Sequence, residues 1–336
     1  TKGKSKTLKV KNTKKCKVTW KTSKKKVVSI SKKKRTSCKL KAKAKGTAKI
    51  TCTVKRKKKT FKLTCKVKVK AKKTVVASSL KDTYAKIVPY MGTCLNYGSA
   101  SNPRELQNAS TMKFVKKQYN SFTLENEMKP DAILGSSAKL ISVADAKKKG
   151  YYIPAGYTES TVPELAFTTV DKSLEAAKNN GLKMRAHTLV WHSQTPSWFF
   201  TKNYDGSKVV TPAVMDARLD FYIHNVMGHV MDKEKALTGS AGSIVYAWDV
   251  VNEYLHRPSF AYFKTWTSVY GNMGNSPSYV KKAFEIAYDM LKSYQATDKV
   301  TLFYNDYNTY FGVKDTLNLV EFINKGETAK ICGGIG

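Results

Sequence analysis

The chain has 336 residues, with 61 Lys and Arg against 24 Asp and Glu and a formal net charge of +37, which is enough chain for one large domain or two smaller ones. No apolar run reaches the roughly 18–20 residues of a bilayer-spanning helix, so no transmembrane segment is expected. No Cys-x-x-Cys or His/Cys cluster suggests a metal, and no Gly-x-Gly-x-x-Gly follows an apolar run to cradle a dinucleotide, so neither metal nor cofactor is expected. The chain begins at Thr1 without a signal-peptide pattern, which reads as a mature secreted chain or a fragment. Its six Cys leave the redox compartment and the disulfide state open, and buried free thiols are the plain expectation.

The charge is not spread evenly. Residues 1–73 hold 32 of the Lys and Arg and no Asp or Glu, whereas the remainder is nearly balanced. A boundary therefore falls near Lys73, and the two parts are read separately.

Residues 1–73 run on a period of two. Phe61, Leu63, Cys65, Val67 and Val69 alternate with polar residues, mostly Lys, as do Ile50, Cys52 and Val54, and Cys16, Val18 and Trp20. This pattern marks antiparallel strands with one buried and one wet face, and several short ones make a small β-sandwich. Trp20 is expected in the core and Gly46 at a turn. The stretches Val-Thr-Trp-Lys-Thr-Ser (18–23), Val-Val-Ser-Ile (27–30) and Lys-Gly-Thr-Ala-Lys-Ile-Thr-Cys (45–52) resemble the bacterial group 2 immunoglobulin-like domain. Two readings of the Lys stay open. They form a solvated face that blocks edge-to-edge aggregation, or they attract a polyanion such as an anionic cell-wall polymer or an acid-substituted polysaccharide. Nucleic acid is not favoured, because no aromatic–basic stacking platform is present.

Residues 74–86 read as a linker with a first helical turn, and 87–336 as the second domain. A strand is expected over 87–95 and a helix over 104–119. A second strand ends at Glu125, Asn126 and Lys129. Residues 136–163 read as a long connection, and 168–180 as a helix stopped by Gly181. A third strand delivers His187, Trp191, His192 and Gln194. Thr211-Pro212 opens a helix, and a fourth strand runs out into Asn252 and Glu253. Ser276-Pro277 caps a helix with Val280, Ala283, Phe284, Ala287 and Leu291 on its buried stripe. A fifth strand over 300–304, a helix over 314–324 and the start of a sixth strand at 331–336 complete the chain. Strands alternating with helices give a parallel α/β fold, and polar residues at strand ends favour a (β/α)8 barrel over a doubly wound sheet. The expected architecture is thus multidomain: an all-β immunoglobulin-like sandwich followed by a TIM barrel, of which about six strands are present.

Four motifs in the second domain resemble the endo-β-1,4-xylanases of glycoside hydrolase family 10. They are Phe-Thr-Leu-Glu-Asn-Glu-Met-Lys-Pro-Asp (122–131), His-Thr-Leu-Val-Trp-His-Ser-Gln-Thr-Pro (187–196), Trp-Asp-Val-Val-Asn-Glu (248–253) and Asn-Asp-Tyr-Asn (305–308). The resemblance implies hydrolysis of internal xylan bonds with retention, by a pair of carboxylates. It makes Glu253 the general acid/base, with a pKa raised by a neighbouring negative charge. Asn252 would hold the sugar 2-hydroxyl. Glu125, Asn126, Lys129, His187, Trp191 and Gln194 would bind sugars upstream of the cut, and Tyr307 would line the leaving-group side. Asp249 and Asp306 are expected to brace the barrel, and His192 to sit behind the contact residues. The family's nucleophile, a Glu on a seventh strand, is expected beyond Gly336, so the chain is read as a truncated and by itself inactive part of a secreted or surface-attached bacterial enzyme. The alternative is a cell-wall-attached protein that binds xylan without cutting it.

Overall fold

The computed structural model describes residues 2–70, 79–257 and 264–336. The chain divides into two compact units, Thr1–Val76 and Ala77–Gly336.

In the first unit the alternating stretches become six strands: β1 (Ser5–Lys9), β2 (Lys17–Thr22), β3 (Val28–Ser31), β4 (Ser37–Ala42), β5 (Gly46–Arg56) and β6 (Lys59–Val69). They pair antiparallel into two three-stranded sheets, β1-β4-β3 and β2-β5-β6. Period two decides what goes inside. Ala48, Ile50, Cys52 and Val54 of β5 are buried, while Lys49 and Lys55 on its other face are exposed. Trp20 from β2 and Cys38 and Leu40 from β4 complete one core. The buried indole N–H of Trp20 is satisfied by donating to the Lys34 carbonyl at 3.0 Å. Gly46 sits at φ +147°, and a Cβ there would come 3.2 Å from a methyl of Val27. Both facts make it a glycine position.

The second unit opens with α1 (Leu80–Tyr84), β7 (Gly92–Leu95), α2 (Ala109–Gln118), β8 (Ser121–Leu124), α3 (Pro130–Leu134), β9 (Leu140–Ser142), α4 (Val143–Lys148) and β10 (Thr161–Pro163). It continues with α5 (Thr168–Asn180), β11 (Lys183–Trp191), α6 (Pro212–Thr238), β12 (Val245–Asn252), α7 (Trp266–Tyr270), α8 (Ser278–Ser293), β13 (Thr301–Asn305), α9 (Val313–Asn324) and β14 (Gly334–Ile335). Residues 74–78 of the expected linker lie outside the described residues, and α1 falls within the rest of it.

Six strands form one parallel sheet in the order β7-β8-β11-β12-β13-β14. Each new strand adds to the same edge. A doubly wound sheet reverses its order at a switch point; this one winds in a single direction, as barrel strands do. The helices between strands present apolar stripes to it. α5 buries Val170, Leu174 and Ala177 and stops at Gly181, which takes φ 64°. α6 begins with Pro212 at its first position and Thr211 as cap, and α8 buries the five residues expected of it.

Several expectations need correction. Phe61 and Leu63, expected on the buried face of their strand, are 54% and 52% exposed, because β6 extends past the core there, and the strand expected over 87–95 forms only over Gly92–Leu95. The 136–163 connection is not bare loop: β9 and β10 pair antiparallel, and α4 lies between them, capped by Ser142 accepting from the Asp145 N–H at 3.0 Å. Strands of three residues are too short for alternation to register. At α8 the Ser276 side chain does not cap. The Pro277 carbonyl accepts from Val280 and Lys281 instead. Of the six Cys, Cys38, Cys52 and Cys332 are buried, Cys16 and Cys65 are half-buried, and Cys94 is exposed on the edge strand β7. Burial pushes the Cys332 thiol up to about 11.

Candidate active site

Strand β12 is apolar nearly throughout because both its faces are covered, the pattern of a central parallel strand. Trp248, Val250 and Val251 are all at most 2% exposed. At its end the chain turns sharply. Glu253 takes φ 54°, a left-handed conformation uncommon for a residue with a Cβ, and its N–H donates to the Asn305 carbonyl at 2.8 Å. Its Oε2 accepts from Trp191 Nε1 at 2.9 Å. Trp191 ends β11, the neighbouring strand, and pairs in register with Asn252. A carboxylate is thus held by two adjacent strand ends.

Trp191 is itself anchored from behind. Its carbonyl accepts from Thr195 Oγ1 at 2.6 Å and from the Trp266 indole at 3.2 Å. Lys129 Nζ lies 5.0 Å from the centre of the Trp191 ring, within cation–π reach. The same ammonium donates to Gln194 Oε1 at 2.8 Å and to Asn126 Oδ1 at 3.1 Å. Gln194 Nε2 donates to Asp131 at 3.2 Å, and the Asp131 N–H donates to the Gln194 carbonyl at 2.9 Å. Asn126, Lys129, Trp191, Gln194 and Glu253 are therefore one connected group. Glu125 is exposed beside it and accepts from Asn96 at 2.8 Å. Among the described residues it makes no ion pair with Lys129.

A polar layer lies beneath. Asp249, 2% exposed, accepts from Arg185 Nε and Nη2 at 2.9 and 2.5 Å and lies 2.9 Å from His187 Nδ1. Arg185 Nη2 also donates to Asn305 at 3.2 Å, and the side-chain amides of Asn305 and Asn252 meet at 2.8 Å. Asn252 is only 2% exposed. His187 and Asn252 are thus fixed by their own strands' partners. His192 is half-buried beside Trp191. Burial holds its imidazole below the usual value, and the nearby Glu253 and Asp306 carboxylates oppose that shift.

Tyr307 stands apart from this group. It is exposed, and its ring stacks on His256 at 4.0 Å. His256 Nδ1 lies 2.6 Å from Asp306, which also accepts from the Tyr304 hydroxyl and the Tyr307 N–H. Asp306 thus braces one wall as Asp249 braces the floor.

Sequence reasoning did not find Asn96, Asp131, Arg185, His256 or Trp266. Arg185 carried a usable signal, since it lies two residues before His187 on the same face of one strand. Trp266 carried none, because its role depends on packing between distant segments.

The arrangement offers hydroxyl-sized hydrogen-bond partners, an aromatic face and one fixed carboxylate, all at the C-terminal ends of parallel strands, where such folds place their chemistry. The sequence model described as Glycosyl hydrolase family 10 matches residues 79–336. The chain belongs to that family. Endo-1,4-β-xylanase A of Butyrivibrio fibrisolvens is 46% identical over 260 residues, which cover 77% of this chain and 59% of that protein. Endo-1,4-β-xylanase A of Thermotoga neapolitana is 37% identical over 205 residues, covering 60% of this chain and 15% of that protein. The chain therefore spans less than two thirds of each of these relatives. Among solved structures, the CBM22-1–GH10 modules of a Clostridium thermocellum endo-1,4-β-D-xylanase, complexed with xylohexaose, superpose with a TM-score of 0.57 at 26% identity, covering 90% of this chain and 54% of that one. A bacterial Ig-like domain containing GH10 xylanase from termite gut matches in fold over 95% of this chain and 65% of its own, with a TM-score of 0.52 at 22% identity.

Proposed function

We propose that this chain belongs to a bacterial endo-1,4-β-xylanase that hydrolyses internal β-1,4 bonds of xylan with retention. The observation that carries the reading is the Glu253 carboxylate, held by the Trp191 indole next to the Lys129–Asn126–Gln194 group. In this reading the substrate lies across the strand ends of a (β/α)8 barrel. Glu125, Asn126, Lys129, His187 and Gln194 take the hydroxyls of the sugars upstream of the cut, and Trp191 packs against a pyranose ring. Asn252 takes the 2-hydroxyl at the reacting sugar. Glu253 protonates the departing glycosidic oxygen, then takes a proton from the water that releases the sugar from the enzyme. Tyr307, propped by His256, lines the leaving-group side. The attacking carboxylate is assigned to a Glu on a seventh strand, outside residues 1–336. No metal or cofactor enters this chemistry.

The first unit is read as an immunoglobulin-like module that holds the enzyme to an anionic cell-wall polymer. Xylan is too large to enter a cell, so the enzyme is assigned to the outside, either secreted or attached to the surface. The test is reducing-sugar release from xylan and from cellulose by the complete gene product, with and without Glu253→Gln. Xylan cleavage that the substitution abolishes is expected. Cleavage retained at the wild-type rate, no cleavage by the wild type, or a preference for cellulose would each contradict the reading.

A further inference from the structure

The outer face of the β2-β5-β6 sheet is a grid of Lys and Thr. Strand register sets it out row by row. Lys17 faces Lys55, Thr19 faces Thr53 and then Lys62, and Lys49 faces Lys66. Thr51 and Thr64 fill another row beside Lys21, and Lys68 follows at the edge. The face thus carries seven Lys and no carboxylate, apolar or aromatic side chain. The outer face of the other sheet is different. There the Lys are only Lys9, Lys39 and Lys41, diluted by Ser5, Ser29, Ser31 and Ser37.

Two features make the grid more than a solvated surface. Like charges directly opposite across a strand pair are destabilising, and this face has two such pairs, Lys17–Lys55 and Lys49–Lys66. Nothing inside the unit relieves them, because residues 1–73 contain no Asp or Glu. Solubility alone would not require charges set opposite each other on one sheet and spread on its partner.

We propose that this face binds a linear polyanion that carries a phosphodiester on every repeat unit, with hydroxylated units between. The proposal rests on the reading of the first unit as a wall-polymer module and names the face and the chemistry. Strands lie about 4.8 Å apart and alternate residues about 6.8 Å apart along a strand, so a chain laid across the grid meets an ammonium every one or two steps. That density suits a polymer charged at each repeat. Xylan bearing scattered acid substituents would leave most of these Lys unmatched. The Thr hydroxyls between the Lys suit the hydroxyls between phosphates. Single-stranded nucleic acid shares the charge density, but its binders stack the bases on aromatic rings. The aromatic residues of this sheet, Trp20 and Phe61, project from the opposite face, in register with Cys52 and Val54 of the core side.

The test compares two variants of the 336-residue chain with equal loss of charge. Lys21, Lys55 and Lys62 are changed to Gln in one, and Lys9, Lys39 and Lys41 to Gln in the other. Binding to poly(glycerol phosphate) of defined length is measured at low and high salt. The first variant is expected to bind about tenfold to a hundredfold more weakly than the wild type, and the second within about threefold. The wild type should lose affinity steeply with salt. A third variant with Arg at Lys21, Lys55 and Lys62 should restore binding, which separates lost charge from lost folding. Equal weakening in the first two variants would overturn the assignment of the face while leaving the wall-polymer reading intact. Tighter binding to a single-stranded oligonucleotide of matched charge, or to neutral xylan, would overturn the chemistry. No binding of the wild type to the polymer would overturn the underlying reading itself.

Discussion

The two units use charge in opposite ways. In the second, charged side chains are fastened. Arg185 and His187 converge on Asp249, Lys129 joins Asn126 to Gln194, and buried Arg218 pairs with Glu159. In the first, about thirty Lys and Arg stand without one carboxylate of their own. Fastened charge gives geometry: it holds strand ends and aromatic rings where a sugar would meet them. Unfastened charge gives reach, since it attracts a partner without specifying a pose. Chemistry that depends on half an ångström belongs to the first kind, and retention on a polymer to the second.

The contrast orders the expected effects of mutation. Glu253→Gln should lower xylan hydrolysis by the complete gene product by about a hundredfold to ten-thousandfold, with an unchanged melting temperature. Lys129→Met removes the ammonium shared by Gln194 and Asn126. It should lower kcat/KM by about tenfold to a hundredfold, since hydrogen bonds to charged groups are worth about 1.5–3 kcal/mol. Glu234→Ala tests fastening where no substrate is involved. This carboxylate, near the end of α6, accepts from the N–H groups of Gly242 and Ile244 in the following loop and of Val245, the first residue of β12. Its loss leaves two buried donors and one half-buried donor without a partner and should lower the unfolding free energy of the second unit by about 3 kcal/mol, read by chemical denaturation.

Smaller effects are expected at charges open to solvent. Glu175 is clasped by Lys233 and Lys172, which hold its carboxyl down at about 2 against an ordinary 4.5. A depressed folded value contributes stability above the unfolded value and loses it as pH falls from about 4.5 towards 2. Because the site is open to solvent, Glu175→Gln should lower the melting temperature at pH 7 by only about a degree and leave it unchanged at pH 2. In the first unit the sign should reverse. Lys55→Gln relieves the repulsion with Lys17 and should raise stability by about 0.2–0.5 kcal/mol in a denaturant titration. A loss of stability there would break the contrast between the two units.

Much of this architecture was legible in the sequence, for reasons that particular residues make plain. Alternation over Ile50, Cys52 and Val54 fixed the inward face of β5, because period two leaves little choice. The run into Asn252 and Glu253 read as a buried strand with polar groups at its mouth, and it is one. The Thr211-Pro212 and Gly181 signals placed helix ends within a residue. What stayed hidden was three-dimensional. Nothing in the order of residues couples Trp266 to the Trp191 carbonyl, or His256 to the Tyr307 ring, since each pairing is made by folding distant or differently oriented segments together. The partners of Lys129 were not legible either, although Glu125 is close to it in sequence. The ammonium turns to Asn126 and Gln194, because the turn after β8 and the loop after β11 bring those amides closer. The β9–β10 pair escaped because three-residue strands have no period to read.

Whether Glu253 gives a proton to the departing sugar can be read by varying how much the leaving group needs one. The complete gene product and its Glu253→Gln variant would be compared on xylan and on an aryl β-xylobioside whose phenol leaves readily as an anion. In the variant kcat/KM on xylan should fall by about a hundredfold or more while kcat/KM on the activated aryl glycoside falls by less than about tenfold, because only the first bond needs protonation to break. An equal loss on both substrates would rule out that role and assign Glu253 to binding rather than to proton transfer.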